Sequence, residues 1–405
     1  MRCSALKLAV PNNQMSGENI KVSAVIPCLN EENTIAETIN NIKDSFTNIG
    51  VRGEIIIVDS SKDNSPKIAA GLGAKVISVP KRGLGQAYID AIPYIKGKYV
   101  IMGDADCTYD FRETNKFINK LDEGFEFVMG TRMKGYIEKD AMPPLHRYFG
   151  TPLTTWILNI LLGTNFSDIH CGLRAITLEG LKKMDIQSKS WEYASEMVVK
   201  ASLLKLKNTE VPIHFYKDKY GRVSHHKRQG WFSPWHAGWI NLKVMLLYVP
   251  DKMIIKPGII FLLLGLSFIL MQINGPVNMG FFTFSTNTMM LGLTFAVLGF
   301  SSIQMGILVS LFSHLHKYIN NKTTRFFYSS FSYTKGMIFG FLTFLGGLIL
   351  ASTLVYQWYE NRYKLIYVPW YVVFGLLLLI FGIQTILFNL VCQAFLLTHS
   401  TDENL

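Results

Sequence analysis

Gly97-Lys98-Tyr99-Val100-Ile101-Met102-Gly103-Asp104-Ala105-Asp106 is a strand-like run that opens into a loop carrying two carboxylates one residue apart. Such a pair at the mouth of a buried strand can hold a hard divalent cation against a diphosphate, whereas in a plain turn it is merely solvated. The surrounding text separates these readings. Upstream it alternates: strand over residues 21–27, helix over 33–47, strand over 54–58, helix over 67–72, strand over 75–79, helix over 85–95 and strand over 99–102. Residues 54–58 form a continuous, largely β-branched run, as in a strand buried on both faces. The alternation predicts a doubly wound parallel sheet with ligands at the carboxyl ends of its strands. At those ends fall Asn30-Glu31-Glu32, Asp59-Ser60-Ser61-Lys62-Asp63, Arg82-Gly83-Leu84-Gly85 and the acid pair itself. A nucleotide-type ligand is expected on that rim.

The second half of the chain reads differently. Of 405 residues 49% are hydrophobic, with a net charge of +11. Residues 257–273, 289–312, 336–356 and 369–397 contain no Lys, Arg, Asp or Glu. A span needs about 20 apolar residues, so the last three qualify and the first needs Ile254 and Ile255 to complete it. The expected organisation is a flexible tail (1–19), an α/β catalytic domain (20–230), an interfacial amphipathic segment (231–253), an all-α domain of four transmembrane helices (254–397) and a short tail (398–405). Residues 6–10 are too short for a signal core, so the first 250 residues are expected in the cytoplasm. Charge agrees: the loop 313–335 holds Lys317, Lys322, Arg325 and Lys335, while 274–288 holds no Lys or Arg. The third connection, 357–368, carries only Arg362 and Lys364 with Glu360. Five cysteines without CxxC or CxH spacing fit a reducing compartment and argue against zinc or disulfides. No internal repeat is visible.

Several motifs resemble the family-2 glycosyltransferases of the glycosyltransferase A fold. They are residues 25–32 (Val-Ile-Pro-Cys-Leu-Asn-Glu-Glu), 57–63 (Ile-Val-Asp-Ser-Ser-Lys-Asp) and 103–106 (Gly-Asp-Ala-Asp). Residues 104–111, 141–148, 168–174 and 192–197 are similar to the membrane-anchored polyprenyl-phosphate glycosyltransferases, relatives of dolichyl-phosphate mannose and glucose synthases. The resemblance covers residues 20–260. It implies that Pro27, Asn30 and Glu31 line the donor pocket, that Asp59 accepts from the base, and that Asp104 and Asp106 hold Mg2+ or Mn2+ on the diphosphate. Read without the resemblance, Asp59 is a turn residue after a strand. Ser60 stands where many relatives carry a second acidic residue, which leaves uracil and guanine both open. The Gly83-Leu84-Gly85 turn looks like a phosphate cradle.

The resemblance also implies that Arg132 and Arg147 clamp the phosphate of a lipid acceptor with help from the Thr151 hydroxyl. Arginine suits this because its planar fork binds phosphate bidentately. Both arginines have a second reading as solvated surface residues. A basic run at Lys217, Lys219, Arg222, Lys227 and Arg228, with His225 and His226 among them, is either a membrane-surface patch or part of the acceptor site. Residues 221–225 depart from the Gly-x-Ser-Lys common there, and Arg222 is the acceptor candidate. Residues 152–163 and 231–249 mix Trp with Leu and Ile and read as interface-lying or as core. His170 and Cys171 lack partner spacing, so 168–174 reads as a structural loop in which Arg174 could pair with Asp168. Glu192 and Glu196 lie where relatives that glycosylate hydroxyls keep a base. A phosphate acceptor needs none, because its second pKa of about 6 leaves it largely dianionic at pH 7.

The function expected is an inverting membrane glycosyltransferase that moves a sugar from a nucleotide-sugar donor, UDP-glucose or a related UDP-sugar, to polyprenyl phosphate at the cytoplasmic face. The alternatives are a processive polysaccharide synthase, whose Gln-x-x-Arg-Trp the text at Gln229-Gly230-Trp231-Phe232 lacks, and a catalytically silent lipid-binding scaffold or flippase. Expected partners are the donor, the lipid and the bilayer, with no nucleic acid and with a homo-oligomer left open.

Overall fold

The computed structural model describes residues 20–219, 233–280, 283–315, 322–364 and 368–402. It divides into two units: residues up to 155 with 165–234, and residues 156–164 with 235–405.

The first unit holds β1 (Val22–Cys28), α1 (Ile35–Ile49), β2 (Gly53–Asp59), α2 (Ser65–Gly71), β3 (Lys75–Ser78), α3 (Leu84–Ala91), β4 (Tyr99–Met102), α4 (Thr114–Asp122) and β5 (Phe127–Ile137). After α5 (Thr151–Leu162) come β6 (Arg174–Thr177), α6 (Leu178–Met184), α7 (Tyr193–Leu203) and β7 (Asn208–Phe215). The strands form one sheet in the order β3-β2-β1-β4-β6-β5-β7. Ile26, Ile56, Ile57 and Ile101 are wholly buried, as covered central strands require. Ile35, Ile39, Ile42 and Phe46 form the buried stripe of α1, and Gly50 ends that helix at φ +67°. α3 stops at Ala91, short of the expected residue 95, because Pro93 supplies no N–H to continue it.

β1 to β4 run parallel to one another as the alternation predicts, but β6 runs antiparallel to both β4 and β5. The doubly wound α/β fold is as expected, with β6 as an antiparallel strand inside the sheet. The chain leaves β5 at the carboxyl rim and re-enters at that rim through β6. Residues 138–155 and 165–173 thereby start and end on the same edge of the sheet as the ends of β1, β2 and β4.

The second unit contains α8 (Ser233–Tyr248), α9 (Lys256–Leu270), the short strands β8 (Val277–Asn278) and β9 (Thr283–Phe284), α10 (Thr286–Leu315), α11 (Lys322–Ser330), α12 (Tyr333–Glu360) and α13 (Trp370–Asp402). Among the described residues four helices are long and apolar enough to cross a membrane: Asp251–Leu270, Thr286–Leu315, Tyr333–Glu360 and Trp370–Leu397. The first reaches its 20 residues through the wide helical turn Asp251–Ile255 ahead of α9. The C-terminal half of α5 belongs to this unit, and Lys252 donates to the Leu161 carbonyl at its end.

The membrane helices pair as two hairpins with a shared glycine register that is not apparent as a repeat in the sequence. In α9 and α10, Gly258 meets Gly299 and Gly265 meets Gly292; in α12 and α13, Gly340 meets Gly382 and Gly347 meets Gly375. A Cβ on Gly258 would stand 2.9 Å from the Gly299 carbonyl oxygen, and one on Gly347 2.7 Å from that of Gly375. Small residues let helix backbones approach where lipid offers no hydrophobic drive. Ser301 and Gln384 follow two residues after corresponding glycines, Gly299 and Gly382, and hydrogen-bond to each other at 3.0 Å. Such spaced glycines are easily lost among apolar residues, so the repeat becomes visible only when the helices pair.

Candidate active site

Two loops at the carboxyl ends of β1 and β2 are laced together by side-chain to backbone bonds. The Asn30 amide donates to Ser61 Oγ (2.8 Å), and Asn30 Oδ1 accepts from the Lys62 amide (2.9 Å). Asn30 sits at φ +58°, a left-handed position that asparagine tolerates better than most residues. The Glu31 amide donates to Ser65 Oγ at 2.9 Å. Pro27 lies in register with Val58 at the start of this pair of loops. Asp59, the last residue of β2, is buried, and its Oδ2 accepts only from the Ser61 amide (3.2 Å). Its Oδ1 is buried with no hydrogen-bond partner among the described residues. A buried carboxylate oxygen left without a donor calls for a ligand or water that supplies one.

Asp104 and Asp106 are partly exposed in the loop after β4. Asp106 Oδ1 accepts from the Thr108 amide (3.0 Å) and hydroxyl (2.6 Å), which fixes the turn. Asp104 lies against Gly172, where an added Cβ would be 2.8 Å from Asp104 Oδ2 and 2.9 Å from the Tyr109 ring. The Tyr109 hydroxyl accepts from the Gly172 amide at 2.8 Å, and Tyr88 donates to the Gly103 carbonyl at 3.3 Å. Sequence reading passed over both tyrosines, because a tyrosine beside an acid pair carries no signal until the loops meet. Among the described residues no three His, Cys, Asp or Glu side chains gather to hold a metal ion. A cation at the acid pair would need phosphate oxygens and water to complete its shell, which suits Mg2+ or Mn2+ better than zinc.

Gly83 and Gly85 have another explanation than a phosphate cradle. A Cβ on Gly83 would strike the Lys189 carbonyl, and one on Gly85 the Ser188 carbonyl. The Gly85 and Gln86 amides already donate to Ser190 O (3.3 Å) and Lys189 O (2.9 Å). The first amides of α3 are thus occupied by protein, and the glycines permit that close approach.

Arg132 is the main correction. It lies on β5, and it donates through Nε (2.6 Å), Nη2 (2.8 Å) and its backbone amide (3.1 Å) to Asp168, which is wholly buried. The guanidinium is only 8% exposed and also lies 5.2 Å from the Phe215 ring centroid. Its fork is spent on a carboxylate, so it is a poor clamp for a second anion. Asp168 in turn is set by Glu210 of β7, whose Oε1 accepts from the Ser167 (2.6 Å) and Asp168 (3.2 Å) amides. Arg174 does not pair with Asp168: it is wholly buried and donates to the carbonyls of Ala194 and Cys171, while its Nε has no hydrogen-bond partner among the described residues.

Arg147 differs. It sits in the wide turn His146–Gly150 just before α5, partly exposed, over the Tyr148 ring at 5.4 Å, with no carboxylate partner among the described residues. Thr151 begins α5 one helical turn on and is buried. Leu145, Tyr148, Phe149, Leu153, Trp156 and Ile160 are exposed along one side of this segment, Tyr148 at 73% and Trp156 at 61%. In α8, Trp239 and Leu242 are exposed while Val244, Met245 and Tyr248 are buried. Arg222, with Lys227, Arg228, His225 and His226, lies outside the described residues.

His170 and Cys171 are structural. His170 Nε2 lies 2.8 Å from Thr154 Oγ1, and burial holds the imidazole neutral by lowering its pKa to about 4. Burial pushes the Cys171 thiol up to about 12, far from a thiolate nucleophile at neutral pH. Glu196 is wholly buried and cannot serve as a base: its Oε1 accepts from Gln187 N (2.9 Å) and Lys200 Nζ (2.6 Å), its Oε2 from Ser188 N (2.7 Å).

The model of glycosyl transferase family 2 matches residues 23–184, and that of the glycosyltransferase family 2 C-terminal transmembrane region matches residues 311–396. The chain is 32% identical over 346 residues to the low-salt glycan biosynthesis hexosyltransferase Agl6 of Haloferax volcanii, covering 85% of this chain and 81% of that protein. It is 29% identical over 203 residues to a dolichyl-phosphate hexose transferase of the same organism, covering 50% of this chain and 85% of that one. Among solved structures, glucosyl-3-phosphoglycerate synthase from Mycobacterium tuberculosis, in complex with Mn2+, UDP and glucosyl-3-phosphoglycerate, aligns at 20% identity and a TM-score of 0.44. That alignment covers 56% of this chain and 80% of the other.

Proposed function

The chain belongs to glycosyltransferase family 2, and we propose that it transfers a single hexose from a nucleotide-sugar donor to polyprenyl phosphate at the cytoplasmic membrane face. UDP-glucose or a related UDP-sugar is the donor of choice. The observation that carries this reading is the buried, unpartnered Asp59 Oδ1 on the same rim as Asp104 and Asp106. It offers an acceptor for a base N–H, with the acid pair two strands along the sheet for the diphosphate.

The acid pair fits a divalent cation with oxygen ligands, and Mg2+ or Mn2+ held there would neutralise charge on the departing diphosphate. Among the described acceptor candidates Arg147 is the arginine without a carboxylate partner, and its fork suits a bidentate grip on a lipid phosphate. One phosphate oxygen attacks the anomeric carbon; the bond from that carbon to the diphosphate breaks, and the configuration inverts. No base is required, since the phosphate is largely ionised near neutral pH. The apolar side of residues 145–160 supports contact with the headgroup boundary of a bilayer, where a lipid phosphate resides. Four spans, with a basic loop after α10, favour both termini in the cytoplasm.

The test is mass spectrometry of the lipid fraction after incubating the purified protein with polyprenyl phosphate, Mg2+ and a panel of nucleotide sugars. A product heavier by one hexose is expected with a UDP-sugar and should vanish in Asp106→Ala. Polymeric product would point to a processive synthase, and no product with any donor would refute the reading.

A further inference from the structure

The segment between α6 and α7, residues 185–192, is held from two sides. On one side is the wholly buried Glu196 of α7, which takes the Gln187 and Ser188 amides on its two oxygens. Lys200, one turn further along α7 and 5% exposed, binds Glu196 at 2.6 Å and donates to the Asp185 carbonyl at 2.6 Å. Asp185 itself adopts a left-handed φ of +45°, an unfavourable conformation for which the Lys200 bond compensates. The buried carboxylate and ammonium therefore pin one strap at three points, the Asp185 carbonyl and the Gln187 and Ser188 amides.

On its other side the same strap touches the donor rim. Lys189 O and Ser190 O accept from Gln86 and Gly85, and Gly83 and Gly85 lack side chains where the strap carbonyls pass. Just beyond the strap, the Tyr193 ring packs on Tyr88 with centroids 4.9 Å apart. Tyr88 in turn donates to the carbonyl of Gly103, the residue before Asp104. A chain of direct contacts thus runs from the Glu196 carboxylate to the first turn of α3 and to the backbone beside the acid pair. Stability alone does not explain this layout. A buried ion pair is often no more stabilising than an apolar pair of the same volume, and this one places three bonds on one strap.

We propose that Glu196, together with Lys200, is a positioning residue for the nucleotide-sugar donor, acting through the 185–190 strap on residues 82–86 and on Gly103–Asp104. This rests on the donor site proposed above. The acid-pair loop is held from α1 by the Thr38 hydroxyl, which donates to the Ala105 carbonyl at 3.1 Å, and the strap adds a second long-range constraint at Gly103.

The experiment compares the full-length protein with two variants, Glu196→Gln/Lys200→Met and Gly85→Ala. The first removes the charges but keeps the volume, and its amide can satisfy only one of the two strap amides. The second leaves Glu196 intact and pushes the strap off the loop. Losing one buried hydrogen bond corresponds to up to about tenfold in an equilibrium constant. The expected result for both variants is a donor KM, and a Kd for UDP with Mg2+, raised about fivefold to tenfold. The KM for polyprenyl phosphate should stay within about twofold. Unchanged donor KM and UDP affinity in both variants would overturn the proposal, as would equal loss in every parameter alongside a lowered melting temperature. If the unaltered protein bound neither UDP nor GDP, the donor site would fall and this inference with it. If it bound and turned over normally while the variants matched it, only the strap would fall.

Discussion

Replacing Asp168 by Asn tests whether Arg132 is a structural cation or a ligand for the acceptor. Asp168 is wholly buried and takes four donors: Arg132 Nε, Nη2 and backbone amide, and the His170 amide at 3.2 Å. Arg132 holds its carboxyl below the usual carboxylate range despite complete burial. In Asp168→Asn the guanidinium remains buried opposite a neutral amide that carries only one acceptor oxygen. Breaking a buried pair by neutralising one partner costs about 3–5 kcal/mol. For a unit of roughly 200 residues, each kcal/mol moves the melting temperature by about 2–4 °C, so a fall of about 6–20 °C is expected. Thermal unfolding of the purified full-length protein in detergent reads this directly. Glu179→Gln, which breaks an exposed pair with Lys183 on α6, is the control and should leave melting unchanged. A drop below about 2 °C combined with a large rise in the KM for polyprenyl phosphate would refute the reasoning. Arg132 would then spend its fork on the lipid, and Asp168 would be a bystander.

Three other outcomes are expected. Arg147→Lys keeps the charge but loses the fork, so polyprenyl-phosphate KM should rise about tenfold with donor KM unchanged; separate titration of each substrate checks this. His170, held neutral by burial with a pKa near 4, cannot take up the proton that the unfolded chain binds near 6.5. Its contribution is present above about pH 6.5 and is lost as pH falls toward 4, by an amount on the order of 3 kcal/mol. Melting curves across that window should flatten in His170→Gln, and identical pH profiles would count against a buried neutral imidazole. In the membrane unit, Ser301→Ala should lower melting in detergent modestly, by about 1 kcal/mol, by removing the partner of Gln384. The exchange Ser301→Gln/Gln384→Ser should restore most of it, because the two residues occupy corresponding positions of the paired hairpins.

The sequence by itself determined the alternation that builds β1 to β4, the acid pair at the end of β4 and the four uncharged spans. Each of these is written in neighbours a few residues apart: β-branched runs, a stripe recurring every three or four positions, a stretch without charge. Tertiary structure decided which charges are available. Arg132 and Arg147 look alike in the text, yet one meets Asp168, thirty-six residues on, and the other meets no carboxylate among the described residues. Gly83 and Gly85 read as a phosphate turn until residues 188–190 arrive from the far side of β6, and Glu196 reads as a helix-face acid until the strap amides close on it. The antiparallel course of β6 and the matched glycines of the two hairpins belong to the same class. They depend on which distant segments pack together, and local periodicity carries no record of a partner that lies tens of residues away, since long-range contacts are chosen by burial and charge compensation over the whole fold.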